Sequence, residues 1–318
     1  MGARYLSRRS SLLVVGGSGF IGGRIVEISR ANGFEPVVLS RLKNIKTLEQ
    51  GSDVESIHCD IRDRDDLENF LGDRQFSYVV NCGGYIDHAS YSEGGDQVFN
   101  THFSGLVNLV SILNESEIKG FVQLGSSDEY GRNPAPQAEE QRESPISCYS
   151  MAKVAATHFL QMLYRTEGFP AITIRPFLVY GPNQEIGRFL PQVIMGCLEG
   201  RSFPVSIGEQ LRDFSYVDDI ANAIILALKN DTCRGHVINV GSGSPVSIKG
   251  VVNRIKNLIG KGKPEFGKIP YRKGENMSLY PDVSKARSML GWQPGIGLDE
   301  GLARTIDWYR QSMTKKLT

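Results

Sequence analysis

The chain has 318 residues, with 36 Lys and Arg against 35 Asp and Glu and a formal net charge of +1. That length can bury one large core or two interlocked ones, while the near-neutral balance excludes a global attraction to nucleic acid or an anionic membrane, so an anionic ligand must be met by locally placed cations. Five scattered cysteines (Cys59, Cys82, Cys148, Cys197 and Cys233) with no Cys-x-x-Cys pair suggest neither a disulfide framework nor a zinc site; a reducing, cytoplasmic setting and no bound metal are expected.

Arg4, Arg8 and Arg9 precede residues 12 to 15 as in a signal peptide, but that apolar run is too short and enters glycines at once. No other stretch is long enough to span a bilayer. Instead Leu12-Leu13-Val14-Val15 stops at Gly16-Gly17-Ser18-Gly19-Phe20-Ile21-Gly22, and Ile21, Ile25 and Ile28 continue at helical spacing. The pattern predicts strand, glycine turn, helix. Gly16, Gly19 and Gly22 permit a tight turn, backbone approach to a pyrophosphate and close helix packing, and Phe20 and Ile21 open a helix whose N-terminus faces the phosphates. Residues 35 to 39 predict a second strand. Where a dinucleotide fold carries an acid for the ribose hydroxyls, this chain has Ser40-Arg41, with Lys43 near. That pair suits a 2′-phosphate, so NADP(H) is favoured, with NAD(H) as the alternative. A third strand, 54 to 59, leads to Asp60-Ile61, whose carboxylate could take the adenine amino group. A fourth, 78 to 81, ends in Cys82-Gly83-Gly84, small enough for the nicotinamide side of a cofactor to lie against backbone. His88 and His102 stand apart from ligand-type clusters and read as packing or substrate-loop residues.

A helix from about 93 to 117 precedes a strand at 121 to 124, which breaks at Gly125-Ser126-Ser127-Asp128-Glu129-Tyr130-Gly131. The hydroxyls then sit at the strand's carboxyl end, where open α/β sheets hold ligands. A second helix, about 148 to 168, carries Tyr149 and Lys153 on one face. There the ammonium is expected to lower the tyrosine from its ordinary pKa near ~10, fitting it to exchange a proton with a substrate oxygen that Ser126 polarises. Residues 171 to 175 form a sixth strand. Alternating strand and helix argue for a parallel sheet covered on both faces. Beyond Arg175-Pro176-Phe177 glycines and prolines multiply: a loop at Tyr180-Gly181-Pro182-Asn183, a helix near 187 to 200, a helix at 220 to 229, a strand at 237 to 240, and a tail with two more helices. The expected fold is α/β, a Rossmann-type doubly wound parallel sheet from 1–177 with 213–242 returning to it, and a smaller substrate-binding domain from 178–212 and 243–318.

Gly16-x-x-Gly19-x-x-Gly22, Asp60, the Ser126 to Gly131 run, Tyr149-x-x-x-Lys153, Arg175-Pro176 with Tyr180-Gly181-Pro182, Arg212-Asp213-Phe214 with Tyr216-Val217-Asp218-Asp219, and Leu290-Gly291-Trp292 occur in one order. Together they resemble the extended short-chain dehydrogenase/reductase family, in particular its nucleotide-sugar epimerase, dehydratase and reductase members. The resemblance implies that Tyr149 is the acid/base, that Lys153 holds the nicotinamide ribose, and that Ser126 is the catalytic hydroxyl. It places Pro176 beside the cofactor, Ser127, Asp128 and Asn183 toward the substrate, and Arg212 and Arg272 on the diphosphate of a nucleotide-diphosphate sugar, which planar guanidinium groups meet in pairs. A homodimer paired through the 93–117 and 148–168 helices is a family-level expectation. Three positions depart from the family: Leu178 and His102 stand where Asn is usual, and Cys148 where Pro is common. NADPH-dependent reduction of a nucleotide-linked 4-keto-6-deoxyhexose at C4, in deoxysugar synthesis for surface polysaccharide, suits Ser40-Arg41 best. A 4-epimerase with a retained NAD, and a 4,6-dehydratase using Asp128 as a shortened base, are the alternatives. A non-catalytic dinucleotide-binding protein is a more remote one, since Ser126, Tyr149 and Lys153 are all kept.

Overall fold

The computed structural model describes residues 9–42, 53–113, 118–271 and 274–315. Lys43 and Arg272 therefore lie outside the described residues. The chain runs β1 (Ser10–Val15), α1 (Phe20–Ser29), β2 (Phe34–Ser40), β3 (Glu55–His58), α2 (Arg64–Leu71), β4 (Tyr78–Asn81), α3 (Gly95–Phe99), α4 (Gly105–Ile112), β5 (Gly120–Leu124), α5 (Cys148–Glu167) and β6 (Ala171–Pro176). An excursion follows through β7 (Leu178–Tyr180), α6 (Phe189–Leu198), β8 (Ser202–Val205), β9 (Leu211–Arg212) and β10 (Phe214–Tyr216), before α7 (Val217–Lys229) leads into β11 (Val237–Val240). The remainder is β12 (Val246–Ser247), α8 (Ile248–Ile259), β13 (Lys263–Phe266), β14 (Ser278–Leu279), α9 (Ser284–Leu290) and α10 (Leu298–Lys315).

Seven strands form one parallel sheet in the order β11-β6-β5-β4-β1-β2-β3. Successive side chains of a strand point to opposite faces, and β1 shows it. Leu12 and Val14 enter a core with Ile25, Val122, Ile174, Ile220 and Ile224, whereas Leu13 and Val15 enter another with Val79, Leu106, Phe121 and Leu160. Burial on both faces is why these strands read as continuous apolar runs rather than alternating ones. The direction of winding changes at β1, between β4 and β2, and a crevice opens beyond the strand ends at such a point. A third core, with Ile194, Val251, Ile255, Leu302 and Ile306, sits under α6, α8 and α10. Arg24 of α1 grips Asp218 at the start of α7 with two bonds of 2.7 and 2.9 Å, tying the returning segment to the glycine turn.

Two elements differ from expectation. The long helix at 93–117 is divided: α3 follows Gly94 in a left-handed conformation, and residues Asn100–Ser104 form a wide π-type turn before α4, which ends at Ile112. Gly95 has no room for a side chain, since an added Cβ would stand 2.6 Å from Cys148 Sγ. α8 falls outside the expected elements, although Ile248, Val251, Val252 and Ile255 are buried at helical spacing.

Candidate active site

The glycine turn between β1 and α1 has the form the sequence predicts. Gly16 is left-handed with φ 75°, and a Cβ on it would come 2.8 Å from the Cys82 carbonyl oxygen. At Gly22 a Cβ would fall 2.3 Å from the Gly16 oxygen, so helix and turn touch backbone to backbone. Gly19 precedes α1 in extended conformation with no side-chain cap, which leaves the first amides of the helix open to an anion. Phe20 and Ile21 pack instead against the third core. A cradle closed to any side chain and edged by uncapped amides fits a pyrophosphate.

At the end of β2, Ser40 is buried, with its Oγ 2.5 Å from Ser18 Oγ and accepting the Leu42 amide at 3.0 Å. Its hydroxyl shapes the turn. Arg41 is exposed, its guanidinium 3.9 Å from Asp60 and 6.0 Å from the centre of the Tyr85 ring. Burial works against the Asp60 charge, but Arg62, at 2.7 Å, holds this carboxyl below its ordinary range. Ile61 is buried against Gly105. At the end of β4, burial pushes the Cys82 thiol up to about 12, which makes it an inert lining group. Asn81 turns its side chain back to the Gly83 amide at 3.0 Å and to Gln123 at 2.9 Å.

Ser126 follows β5 and is fixed from below. Its amide donates to Glu129 at 2.8 Å while its Oγ accepts the Asp128 amide at 3.1 Å, a reciprocal cap on the short 3₁₀ turn Ser127–Tyr130. Glu129 is 0% exposed. It also accepts Thr157 at 2.9 Å and Arg175 at 3.0 and 2.7 Å, and Arg175 reaches Glu143 at 2.7 Å. Sequence reasoning found Arg175 as a motif residue but missed this network, whose one signal is an arginine in the otherwise largely apolar strand β6.

Tyr149 and Lys153 stand one turn apart on α5, both about 5% exposed or less. The expectation that Lys153 acidifies Tyr149 is not met. The ammonium donates to the Leu124 carbonyl at 2.7 Å and sits over the face of the tyrosine ring, its Nζ 5.8 Å from the ring centre, rather than at the phenol oxygen. Burial pushes the Tyr149 phenol well above its ordinary value, the Asp128 charge adds to that, and a hydrogen bond with Ser126 offsets part of it. Burial likewise pulls Lys153 down to about 8, against the opposing pull of Glu129 and Cys82. The Tyr149 ring meets the edge of His102 at 5.1 Å and of His88 at 6.0 Å. Neither histidine is remote: His88 Nε2 lies 3.8 Å from an Asp128 oxygen, and His102 packs on Gly84.

Ser126, Asp128, Tyr149 and Lys153 are thus brought together, with Cys82 beside Lys153 and Gly84 against His102, and Ser127 is buried. Pro176 closes β6 beside Val240. Asn183 is exposed in a left-handed turn with φ 64°. Arg212 lies in the small sheet β12-β9-β14, where it pairs with Glu275 and donates to the Leu211 carbonyl. Several other motif residues build the frame. Asp213 accepts the Ser242 amide at 2.7 Å, and Asp219 accepts the Gly295 and Ile296 amides at 3.0 Å while its carbonyl takes the Trp292 indole at 3.1 Å. Among the described residues no metal-ligating group of three gathers, and no helix is long and apolar enough to cross a membrane.

A family model described as NAD dependent epimerase/dehydratase matches residues 12–241. Among similar proteins are a "Putative UDP-glucose 4-epimerase" of Methanocaldococcus jannaschii, 28% identical over 95% of this chain and 99% of that one, and a dTDP-glucose 4,6-dehydratase of Xanthomonas campestris, 28% identical over 95% and 93%. The structure of a UDP-glucose 4-epimerase of Thermotoga maritima with UDP-glucose superposes with a TM-score of 0.86 at 26% identity, covering 95% of this chain and 99% of that one.

Proposed function

The chain belongs to the NAD dependent epimerase/dehydratase family, enzymes of the extended short-chain dehydrogenase/reductase type, and from that premise we propose that it reduces a nucleotide-linked 4-keto-6-deoxyhexose at C4 with NADPH. The observation that carries this reading is Tyr149. Its phenol is held protonated beside Ser126, and the protonated form is the one that can give a proton to an oxygen whose carbon gains a hydride. When bound, the dinucleotide supplies that hydride. Gly16, Gly19 and Gly22 with the start of α1 would hold its pyrophosphate, Arg41 its 2′-phosphate, and Lys153 its nicotinamide ribose. Ser126 orients the ketone oxygen, Tyr149 protonates it, and Arg212 takes the substrate diphosphate by exchanging Glu275 for phosphate oxygens. Arg272 is assigned the same role from its motif position. The lack of a carboxylate at position 40 or 41 favours NADPH over NADH. Pairing of two copies through α3 to α5 belongs to the same reading.

The second reading is a 4-epimerase, favoured by the names of the relatives. It uses Tyr149 first as base and then as acid and needs a retained NAD, which the missing carboxylate at position 40 or 41 counts against. Incubation with NADPH or NADH and a set of nucleotide 4-keto sugars, followed by nicotinamide absorbance, separates the two. Stoichiometric consumption of NADPH is expected. Isomerised nucleotide sugar without consumption would replace the reductase by the epimerase, and Tyr149→Phe should abolish either while cofactor still binds.

A further inference from the structure

The short turn that carries Ser126 has two ends, and a different part of the chain holds each. At the first, Glu129 accepts the Ser126 amide at 2.8 Å. The second is held by hydrogen bonds in series: the Asp128 amide donates to Ser126 Oγ at 3.1 Å, the Gly131 amide donates to the Asp128 carbonyl at 3.1 Å, and Asn276 Nδ2 donates to the Gly131 carbonyl at 2.7 Å. An amide held on one lone pair of Ser126 Oγ narrows the directions in which that hydroxyl can send its own proton. Gly131 is the weak point of the series. Its φ of 54° and ψ of −111° belong to neither helix nor strand and suit glycine alone, and a Cβ there would fall 1.7 Å from the Ser144 carbonyl oxygen. No regular element therefore sets the direction of the Gly131 carbonyl; Asn276 does.

Asn276 comes from the other half of the molecule. Its Oδ1 accepts the Ser278 amide at 2.9 Å where β14 begins, and β14 lies beside β9 with Leu279 opposite Arg212. Its neighbour Glu275 is the residue that pairs with Arg212. Two consecutive residues thus reach the guanidinium assigned to the substrate diphosphate and the turn assigned to the ketone oxygen. We propose that Asn276 is a positioning residue for Ser126: through Gly131 and Asp128 it aims the serine hydroxyl, and its place next to Glu275 ties that aim to the occupancy of Arg212. The inference rests on the reading of Ser126 as the group that orients the ketone and of Arg212 as the diphosphate ligand. While Arg212 holds Glu275, Asn276 Nδ2 reaches the Asn133 carbonyl, at 3.4 Å, as well as that of Gly131. A diphosphate that takes Arg212 releases Glu275, and the segment settles on Gly131. Asn276 also has a structural task at the start of β14, performed by a different atom, Oδ1 rather than Nδ2.

The two atoms separate the roles. Asn276→Ala removes both bonds, whereas Asn276→Asp keeps an acceptor for Ser278 and loses the donor to Gly131. In both variants kcat for reduction of a nucleotide 4-keto sugar should fall about tenfold, the scale of one lost hydrogen bond, with KM within about twofold of wild type because Arg212 is untouched. Amide hydrogen exchange of the full chain, read by mass spectrometry, should quicken about five- to tenfold in residues 126–131 and stay unchanged in the large sheet. Wild-type kcat and exchange in Asn276→Asp would reduce Asn276 to a cap on β14 and overturn the proposal, as would exchange that quickens evenly over the chain. Saturating UDP, dTDP, GDP or CDP, whichever binds, should slow exchange at 126–131 in wild type but in neither variant, and a wild-type turn indifferent to the bound diphosphate overturns the proposal equally. Should Asn276→Ala fail to fold, Asn276→Asp and the diphosphate comparison decide. If the turn loosens in the variants but wild type reduces no nucleotide 4-keto sugar, the proposed reaction fails and the positioning role stands.

Discussion

Replacing Glu129 with alanine should be among the most damaging single changes in the chain. The carboxylate is fully buried and accepts from the Ser126 amide, the Thr157 hydroxyl and two nitrogens of Arg175, itself fully buried. Breaking a buried ion pair from one side typically costs about 3–5 kcal/mol, and two neutral donors left without an acceptor add about 1 kcal/mol each. Taken together the loss is roughly 5–7 kcal/mol, and at roughly 2 °C per kcal/mol for a chain of this size the melting midpoint should fall about 10–14 °C. Glu143→Ala is the internal control. It also removes a 2.7 Å bond to Arg175, but Glu143 is partly exposed and Glu129 remains in place, so the cost should stay under about 2 kcal/mol. Thermal melts of wild type, both alanine variants and Glu129→Gln, in one buffer at neutral pH, give the comparison. If Glu143→Ala costs as much as Glu129→Ala, or if Glu129→Ala melts within a degree or so of wild type, the network is not what holds Ser126. In Glu129→Gln, turnover should drop further than stability, because the Ser126 amide loses its charged acceptor.

Gly84→Ala should destabilise by more than about 1–3 kcal/mol, because the new Cβ collides with His102 at a φ of 121°; adding His102→Ala should recover part of the loss, and strictly additive melting shifts would contradict the contact. Lys153 is pulled in the fold from 10.5 to about 8. A lysine depressed in this way leaves a penalty fully present below the folded value and relieved as pH rises toward the unfolded one, amounting to about 3 kcal/mol. Lys153→Met should therefore be stabilised relative to wild type near neutrality, with the difference shrinking between about pH 8 and 10.5, and a difference that is flat across that window contradicts the shift. Asp219→Ala leaves the Gly295 and Ile296 amides unpaired and should cost about 2–4 kcal/mol by urea denaturation, with cofactor affinity unchanged.

The sheet was legible because both of its faces are buried: the apolar run at 12 to 15 and the largely apolar stretches at 78 to 81 and 237 to 240, short and bounded by glycines or polar residues, read as interior strands. The turn at Gly16 to Gly22 was legible for a related reason, since backbone contacts of this closeness exclude every other residue type. Less of the site could be read. Tyr149 and Lys153 announce themselves by spacing, but spacing does not say where an ammonium points, and Lys153 points at Leu124 rather than at the phenol. His102 looked like packing because its meaning depends on a widened helical turn and on a glycine eighteen positions upstream in sequence. Asp213, Asp218 and Asp219 carried the resemblance for a different cause from the one a motif suggests: Asp213 and Asp219 fasten loops to the frame, and Asp218 ties α7 to α1.

The last strand of the large sheet, β11, is reached only after the chain has left β6 and built much of a second region. On the ribosome, then, a nascent polypeptide ending near Phe177 presents the hydrogen-bonding groups of β6 as an open margin and lacks the apolar cover that Ile220, Ile224 and Ile238 later provide. A fragment cut there should be sticky rather than autonomous, whereas one carried through Val240 would close that margin. Folding of the nucleotide-binding half is in this sense postponed by the very detour that adds the other half.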